Sequence, residues 1–168
     1  LLAWTSSQLK GEYIQPQKID LYRIVSSQKN LLERIASEKS VLIEMLGFEN
    51  TWVKADKNML ELIFRNLISN AIKFSKKNSK IDLTCKAEGD DYEICVKDYG
   101  AGISPENLEK LNEGISFTTR GQNNETGTGL GMLLVKEYLD KNGGTLRIES
   151  TVGEGSKFYI KLPIWKAN

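Results

Sequence analysis

No histidine occurs among the 168 residues. That absence removes Ser-His-Asp triads, Cys-His dyads, HExxH zinc sites and phosphohistidine chemistry on this segment itself, because each needs an imidazole. Cysteine is scarce too, and Cys85 and Cys95 cannot make a zinc site by themselves. They flank one predicted turn on opposite faces: Cys85 shares parity with Ile81, Leu83 and Ala87, and Cys95 with Glu93 and Lys97. A disulfide is therefore not expected, and a reducing, cytosolic setting is. No apolar run approaches the roughly 18 residues of a membrane span. Leu1-Leu2-Ala3-Trp4 lacks the basic lead and cleavage pattern of a signal peptide. Nor does one sign of charge dominate: Lys+Arg 23 against Asp+Glu 22 leaves +1, which gives no bulk field for nucleic acid or an anionic membrane. Any phosphate chemistry must be local. What is present, 40% hydrophobic and 27% charged residues, suits one soluble domain with a two-layer core. The chain opens on Leu1 rather than Met and is expected to be a piece of a longer protein.

Residues 1–14 read as the end of a helix carrying Leu2, Leu9 and Tyr13, which Pro16 stops. A short strand near 18–21 leads into a helix over 22–37, with Ile24, Val25, Gln28, Leu31, Leu32 and Ile35 at helical spacing. Strands are expected at 41–46 and 51–55, then a long helix from an Asp56 cap to Phe74. Residues 81–87 and 92–97 alternate cleanly around Gly89-Asp90-Asp91 and predict a hairpin. Ser104-Pro105 supplies a cap and an N1 proline for a helix to Asn112. The polar stretch 114–128 is longer than the usual connection, which marks it as functional or mobile. A helix over 131–142 closes at Gly143-Gly144, and a last hairpin joins 145–150 to 157–162. Helices in groups with adjacent antiparallel strands predict an α+β two-layer sandwich rather than a doubly wound sheet.

Seven of the 14 glycines lie between 100 and 131, where backbone could approach a ligand closely. A P-loop is excluded, since no G-x-x-x-x-G-K-[ST] occurs. Gly127-Thr128-Gly129-Leu130-Gly131 is GxGxG after a loop, not the Rossmann fingerprint after a strand. It is a glycine-rich turn entering a helix N-terminus, where free N–H groups and the dipole favour an anion such as a phosphate chain. In Asp98-Tyr99-Gly100-Ala101-Gly102, Asp98 shares parity with Ile94 and Val96 and points inward. An inward carboxylate needs a donor. A purine amino group would be one, and a turn aspartate capping local backbone is an equal alternative. On the helix after Asp56, residues Leu60, Ile63, Phe64, Leu67, Ile68, Ala71 and Phe74 form an apolar sector. Asn70 falls at its edge, with Asn66 and Lys73 within about 60° on the helical wheel. A carboxamide oxygen beside phosphate oxygens would suffice for Mg²⁺. Taken alone, the three also read as solvated surface residues.

Together the pieces are specific. The segments 66–75 (NLISNAIKFS), 98–103 (DYGAGI), Phe117-Thr118-Thr119-Arg120 and 127–131 (GTGLG) resemble the N, G1, F and G2 boxes of sensor histidine kinases, in that family's order. Residues 153–158 resemble its last glycine box, so the likeness covers roughly 16–164. It implies a Bergerat-type ATP-binding sandwich, with a mixed, mostly antiparallel sheet covered by helices on one face. It also implies roles. Asp98 would accept the adenine amino proton beside Gly100, Gly102 and Ile103. Asn70 would ligate Mg²⁺, with Asn66 and Lys73 assisting around the phosphates. Gly127, Thr128, Gly129, Leu130 and Gly131 would frame the triphosphate of ATP. Phe117, Thr118 and Arg120 would belong to a lid over 117–126, with Arg120 reaching a phosphate.

The likeness further implies that residues 1–14 end the dimerisation and phosphoacceptor hairpin and that 15–168 are the catalytic domain. Its partners would be that hairpin and a response regulator receiver domain, with no nucleic acid. The parent would be a homodimer and this fragment a monomer. The portion would face the cytoplasm, whether or not the parent is anchored in the inner membrane. One departure selects a branch: ATPase relatives carry a glutamate four residues before the magnesium asparagine, and Asn66 stands there. An amide is no general base at neutral pH. A conformational ATPase of the same fold and a non-catalytic docking module remain the alternatives.

Overall fold

The structure, a computed structural model, describes residues 13–113 and 130–167, and the backbone alone of Leu130. In chain order the elements are β1 (Pro16–Asp20), α1 (Leu21–Glu38), β2 (Leu42–Leu46), β3 (Trp52–Asp56), α2 (Lys57–Phe74), β4 (Lys80–Glu88) and β5 (Asp91–Asp98). After them come α3 (Pro105–Asn112), α4 (Leu130–Lys141), β6 (Thr145–Thr151) and β7 (Gly155–Pro163).

Alternation builds the sheet. Ile81, Leu83 and Cys85 of β4 stand opposite Asp98, Val96 and Ile94 of β5, so one face is apolar up to the acid at its end. Ile160 of β7 pairs with Ile94 and with Leu146 of β6, which extends that face. The order is β2-β4-β5-β7-β6, antiparallel except for β2, which runs parallel to β4. That parallel pair needs the crossover through β3 and α2. The strands β1 and β3 form a separate antiparallel ribbon, joined to the end of β7 by a bridge between Val53 and Ile164. The sheet's other face is charged, with Glu93 buried beneath Lys86 and Arg147 at 3.7 and 3.9 Å. One face packed and one solvated is what antiparallel sheets allow.

The helices cover the apolar face. Leu60, Ile63, Phe64 and Ile68 of α2 are fully buried, each contributing roughly 1.5–3 kcal/mol through burial. The caps lie where the sequence places them: Asp56 accepts from Met59 N (3.1 Å), and Ser104 accepts from Asn107 N (3.2 Å) with Pro105 behind it. Helix α4 runs antiparallel to α2, because Asn142 after its end takes the Asp56 N–H (2.8 Å) while Met132 near its start reaches Asn70. No helix among the described residues is long and apolar enough to cross a membrane.

Three expectations shift. Tyr13 and Ile14 are not helical; the next amide, Gln15 N, bonds the Asp56 carboxylate (2.9 Å), and residues 1–12 lie outside the described residues. On α1 the buried stripe is Leu21, Ile24, Val25, Gln28, Leu32 and Ala36, whereas Leu31 and Ile35 are 61% and 50% exposed. Periodicity defines a stripe but not how much of its flank a neighbour covers. Phe74 is half-buried, and Ile72 takes the core position instead. Cys85 and Cys95 are unbridged and on opposite faces: Cys85 is buried opposite Ile94, and Cys95 is half-buried opposite Thr84.

Candidate functional site

Helix α2 and the end of β5 position the site. Asn66, Asn70 and Lys73 are all half-buried along one strip of α2. The Asn70 amide nitrogen donates to the Met132 sulfur at 3.5 Å, which leaves its carbonyl oxygen without a hydrogen bond among the described residues. A Cβ on Gly131 would stand 3.5 Å from the Asn66 side-chain oxygen, an ordinary contact, so the start of α4 lies beside that amide. The N-terminal turn of α4 thus opens beside both asparagines, and its free N–H groups suit an anion. Lys73 sets its ammonium over the Phe74 ring, 5.1 Å from the centroid.

Asp98 is only 4% exposed. It ends β5 with its carboxylate on the core face, opposite Ile81 and Ser156. Burial pushes its pKa above the ordinary carboxylate value, and the backbone N–H groups of Gly100 (3.0 Å) and Ser156 pull part of the way back. A carboxylate has about four acceptor sites, so two backbone bonds leave capacity for a ligand N–H. The aspartate therefore caps the turn and keeps spare acceptor capacity.

The turn that follows is packed against α2. A Cβ on Gly100 would stand 2.0 Å from the Phe74 carbonyl oxygen, so only glycine fits. Gly102 has φ +76 and backs onto the Thr151 carbonyl, where a side chain would be both strained and blocked. Ile103 is half-buried, and its N–H donates to Ser150 Oγ at 2.7 Å. Asp98, Gly100 and the strip of α2 are accordingly one locality. Phe117, Thr118, Arg120, Gly127, Thr128 and Gly129 lie outside the described residues, and Leu130 is described by its helical backbone only.

Two contributors escaped the sequence reading. Ser150 Oγ donates to the Gly155 carbonyl (3.0 Å) and lies 2.8 Å from Ser156 Oγ, fixing the β6–β7 end beneath Asp98. Its parity with Leu146 and Ile148 placed it inward and could have flagged it. Phe74 was counted as core, although its ring sits half-open beside Lys73.

A family model described as "Histidine kinase-, DNA gyrase B-, and HSP90-like ATPase" matches residues 55–166, from the Asp56 cap through the last strand. The chain belongs to that ATPase family. Membership in the histidine kinase-, DNA gyrase B- and HSP90-like ATPases implies ATP binding. Histidine protein kinase DivJ of Caulobacter vibrioides is 38% identical over 112 residues, covering 67% of this chain and 19% of that protein. Sensor-like histidine kinase SenX3 of Mycobacterium tuberculosis is 31% identical over 160 residues, 94% of this chain and 39% of the relative. The chain spans well under half the length of these curated relatives. Among solved structures, the catalytic domain of histidine kinase ThkA superposes with a TM-score of 0.77 at 24% identity, covering 89% of this chain and 96% of that one. That likeness fixes the ATPase-family fold: a mixed five-stranded sheet with helices on one face.

Proposed function

We propose that this chain is the Mg·ATP-binding catalytic part of a two-component sensor histidine kinase. Residues 15–168 would form the domain, and residues 1–14, non-helical at Tyr13 and Ile14, would lead out of the helical hairpin that bears the phosphoacceptor. The observation that carries the reading is the buried Asp98 carboxylate, held by Gly100 and Ser156 and set against the end of α2. A desolvated carboxylate with spare acceptor capacity suits the exocyclic amine of adenine, and Gly100 and Gly102 leave the turn without side chains. The donor set also fits a divalent ion poor in protein ligands. A hard carboxamide oxygen, that of Asn70, would share Mg²⁺ with phosphate oxygens. The ion, when bound, neutralises charge on the phosphates.

The chain's own residues position and do not react. Asn66 and Lys73 would hold phosphate oxygens, and the α4 N-terminus with Gly127, Gly129 and Gly131 would cradle the chain of phosphates. In the proposed transfer, an imidazole nitrogen of a separate helical domain attacks the γ-phosphorus. The bond from that phosphorus to the β–γ bridging oxygen breaks, and ADP leaves. Asn66 cannot deprotonate water, so hydrolysis should be slow and the phosphoryl group kept for the imidazole. A response regulator receiver domain would then take it. The parent would dimerise through its hairpin, and this portion would work in the cytoplasm.

The test mixes the chain and γ-labelled ATP with a separate protein carrying the histidine hairpin. Acid-labile, base-stable label on the hairpin protein, and none on this chain alone, is the expected result. Acid-stable label, or rapid phosphate release with no acceptor present, contradicts the reading.

A further inference from the structure

Lys39 lies just beyond α1 and is 8% exposed. Burying an ammonium is costly unless it is well bonded. Its Nζ donates to the carbonyls of Ile72 (3.0 Å) and Lys73 (2.9 Å), 33 and 34 residues away. These belong to the last turn of α2, where the helix dipole is negative and carbonyls have lost their i+4 N–H partners, Ile72 keeping only the capping N–H of Ser75 at 3.2 Å. The backbone of Lys39 holds the far side of the same connection, since its carbonyl accepts from Asn78 N at 3.1 Å. One residue therefore ties the end of α2 and the loop leaving it.

The next carbonyl along, that of Phe74, is the one against which Gly100 packs. Gly100 in turn gives its N–H to Asp98. A continuous chain of contacts runs from the Lys39 ammonium through Ile72, Lys73 and Phe74 to Gly100 and the Asp98 carboxylate. We propose that Lys39 is a positioning residue of the nucleotide site, fixing the end of α2 so that Lys73 and the 98–100 turn keep one geometry. The inference rests on the nucleotide reading above and goes beyond it, because Lys39 lies in none of the motifs that reading uses.

The experiment measures affinity for a non-hydrolysable ATP analogue by calorimetry in wild type, Lys39→Met and Leu32→Ala, the last a destabilised control on α1. All are measured well below their melting temperatures, with near-ultraviolet circular dichroism verifying the folded state. Lys39→Met should weaken binding about tenfold, while Leu32→Ala binds like wild type. Equal affinity for Lys39→Met and wild type overturns the inference alone. If wild type binds no analogue, the nucleotide reading falls and takes the inference with it. Should Lys39→Met fail to fold, amide exchange in wild type decides. The analogue should slow exchange at Asn78, whose N–H bonds Lys39, and an unchanged Asn78 rate overturns the proposal.

Discussion

The carbonyl of Phe74, at the end of α2, and the α-carbon of Gly100, in the turn after β5, meet with no room for a side chain. A Cβ there would come 2.0 Å from the oxygen, so the element with the asparagines and the turn with the acid are held in direct backbone contact. Gly100→Ala must push them apart. Overpacking of this kind costs about 1–3 kcal/mol, and the loss should appear both in a thermal melt and as weaker nucleotide binding. An alanine variant that melts and binds like wild type would mean the two elements tolerate separation.

Asp98 should hold the site at the expense of the fold. Its pKa is raised on folding, chiefly by desolvation, with the Gly100 and Ser156 amides opposing. The folded state thus binds its proton more tightly than the unfolded chain. The resulting stability is complete below the unfolded carboxylate pKa and is lost as pH rises through the folded value. At neutral pH the ionised group is a net cost. Asp98→Asn should therefore melt above wild type at pH 7, with the gap closing towards about pH 4, and should bind nucleotide poorly. A variant that melts below wild type at pH 7 contradicts this sign.

Asn70→Ala should separate metal from base. The substitution removes the one hard oxygen assigned to Mg²⁺ and, with it, the contact to Met132. Titrations of an ATP analogue with and without Mg²⁺ should show that the ion improves wild-type affinity and does little for the variant. An undiminished Mg²⁺ effect would place the ion elsewhere.

Much of this was legible because it is local. The Asp56 and Ser104-Pro105 caps, the β4–β5 hairpin and the inward parity of Asp98 each depend on residues within a few positions. What was not legible depends on distant partners. The parallel pairing of β2 with β4 is set across a crossover, and the β1–β3 ribbon stands apart from the main sheet. Leu31 and Ile35 carry helical spacing yet remain exposed, because spacing does not show where coverage by other elements ends. A lysine reads as surface in any window of sequence. The end of a helix more than 30 residues later supplies the acceptors that make burying Lys39 tolerable.

Ser150 joins three groups by one oxygen: the Ile103 amide, the Gly155 carbonyl and the Ser156 hydroxyl. Ser150→Ala leaves them without that partner in a partly buried place, costing about 1–3 kcal/mol. Denaturant unfolding should show a lower midpoint with an unchanged slope, together with a modest loss of nucleotide affinity. An unshifted midpoint would mean that water replaces the hydroxyl without penalty.

The most direct measurement is a calorimetric titration of an ATP analogue into wild type and Asp98→Ala, in the presence of Mg²⁺. Wild type should bind, and the variant should bind about a hundredfold more weakly or not at all, since the adenine amine loses its buried acceptor. Equal affinities would show that the carboxylate at the end of β5 does not recognise the base.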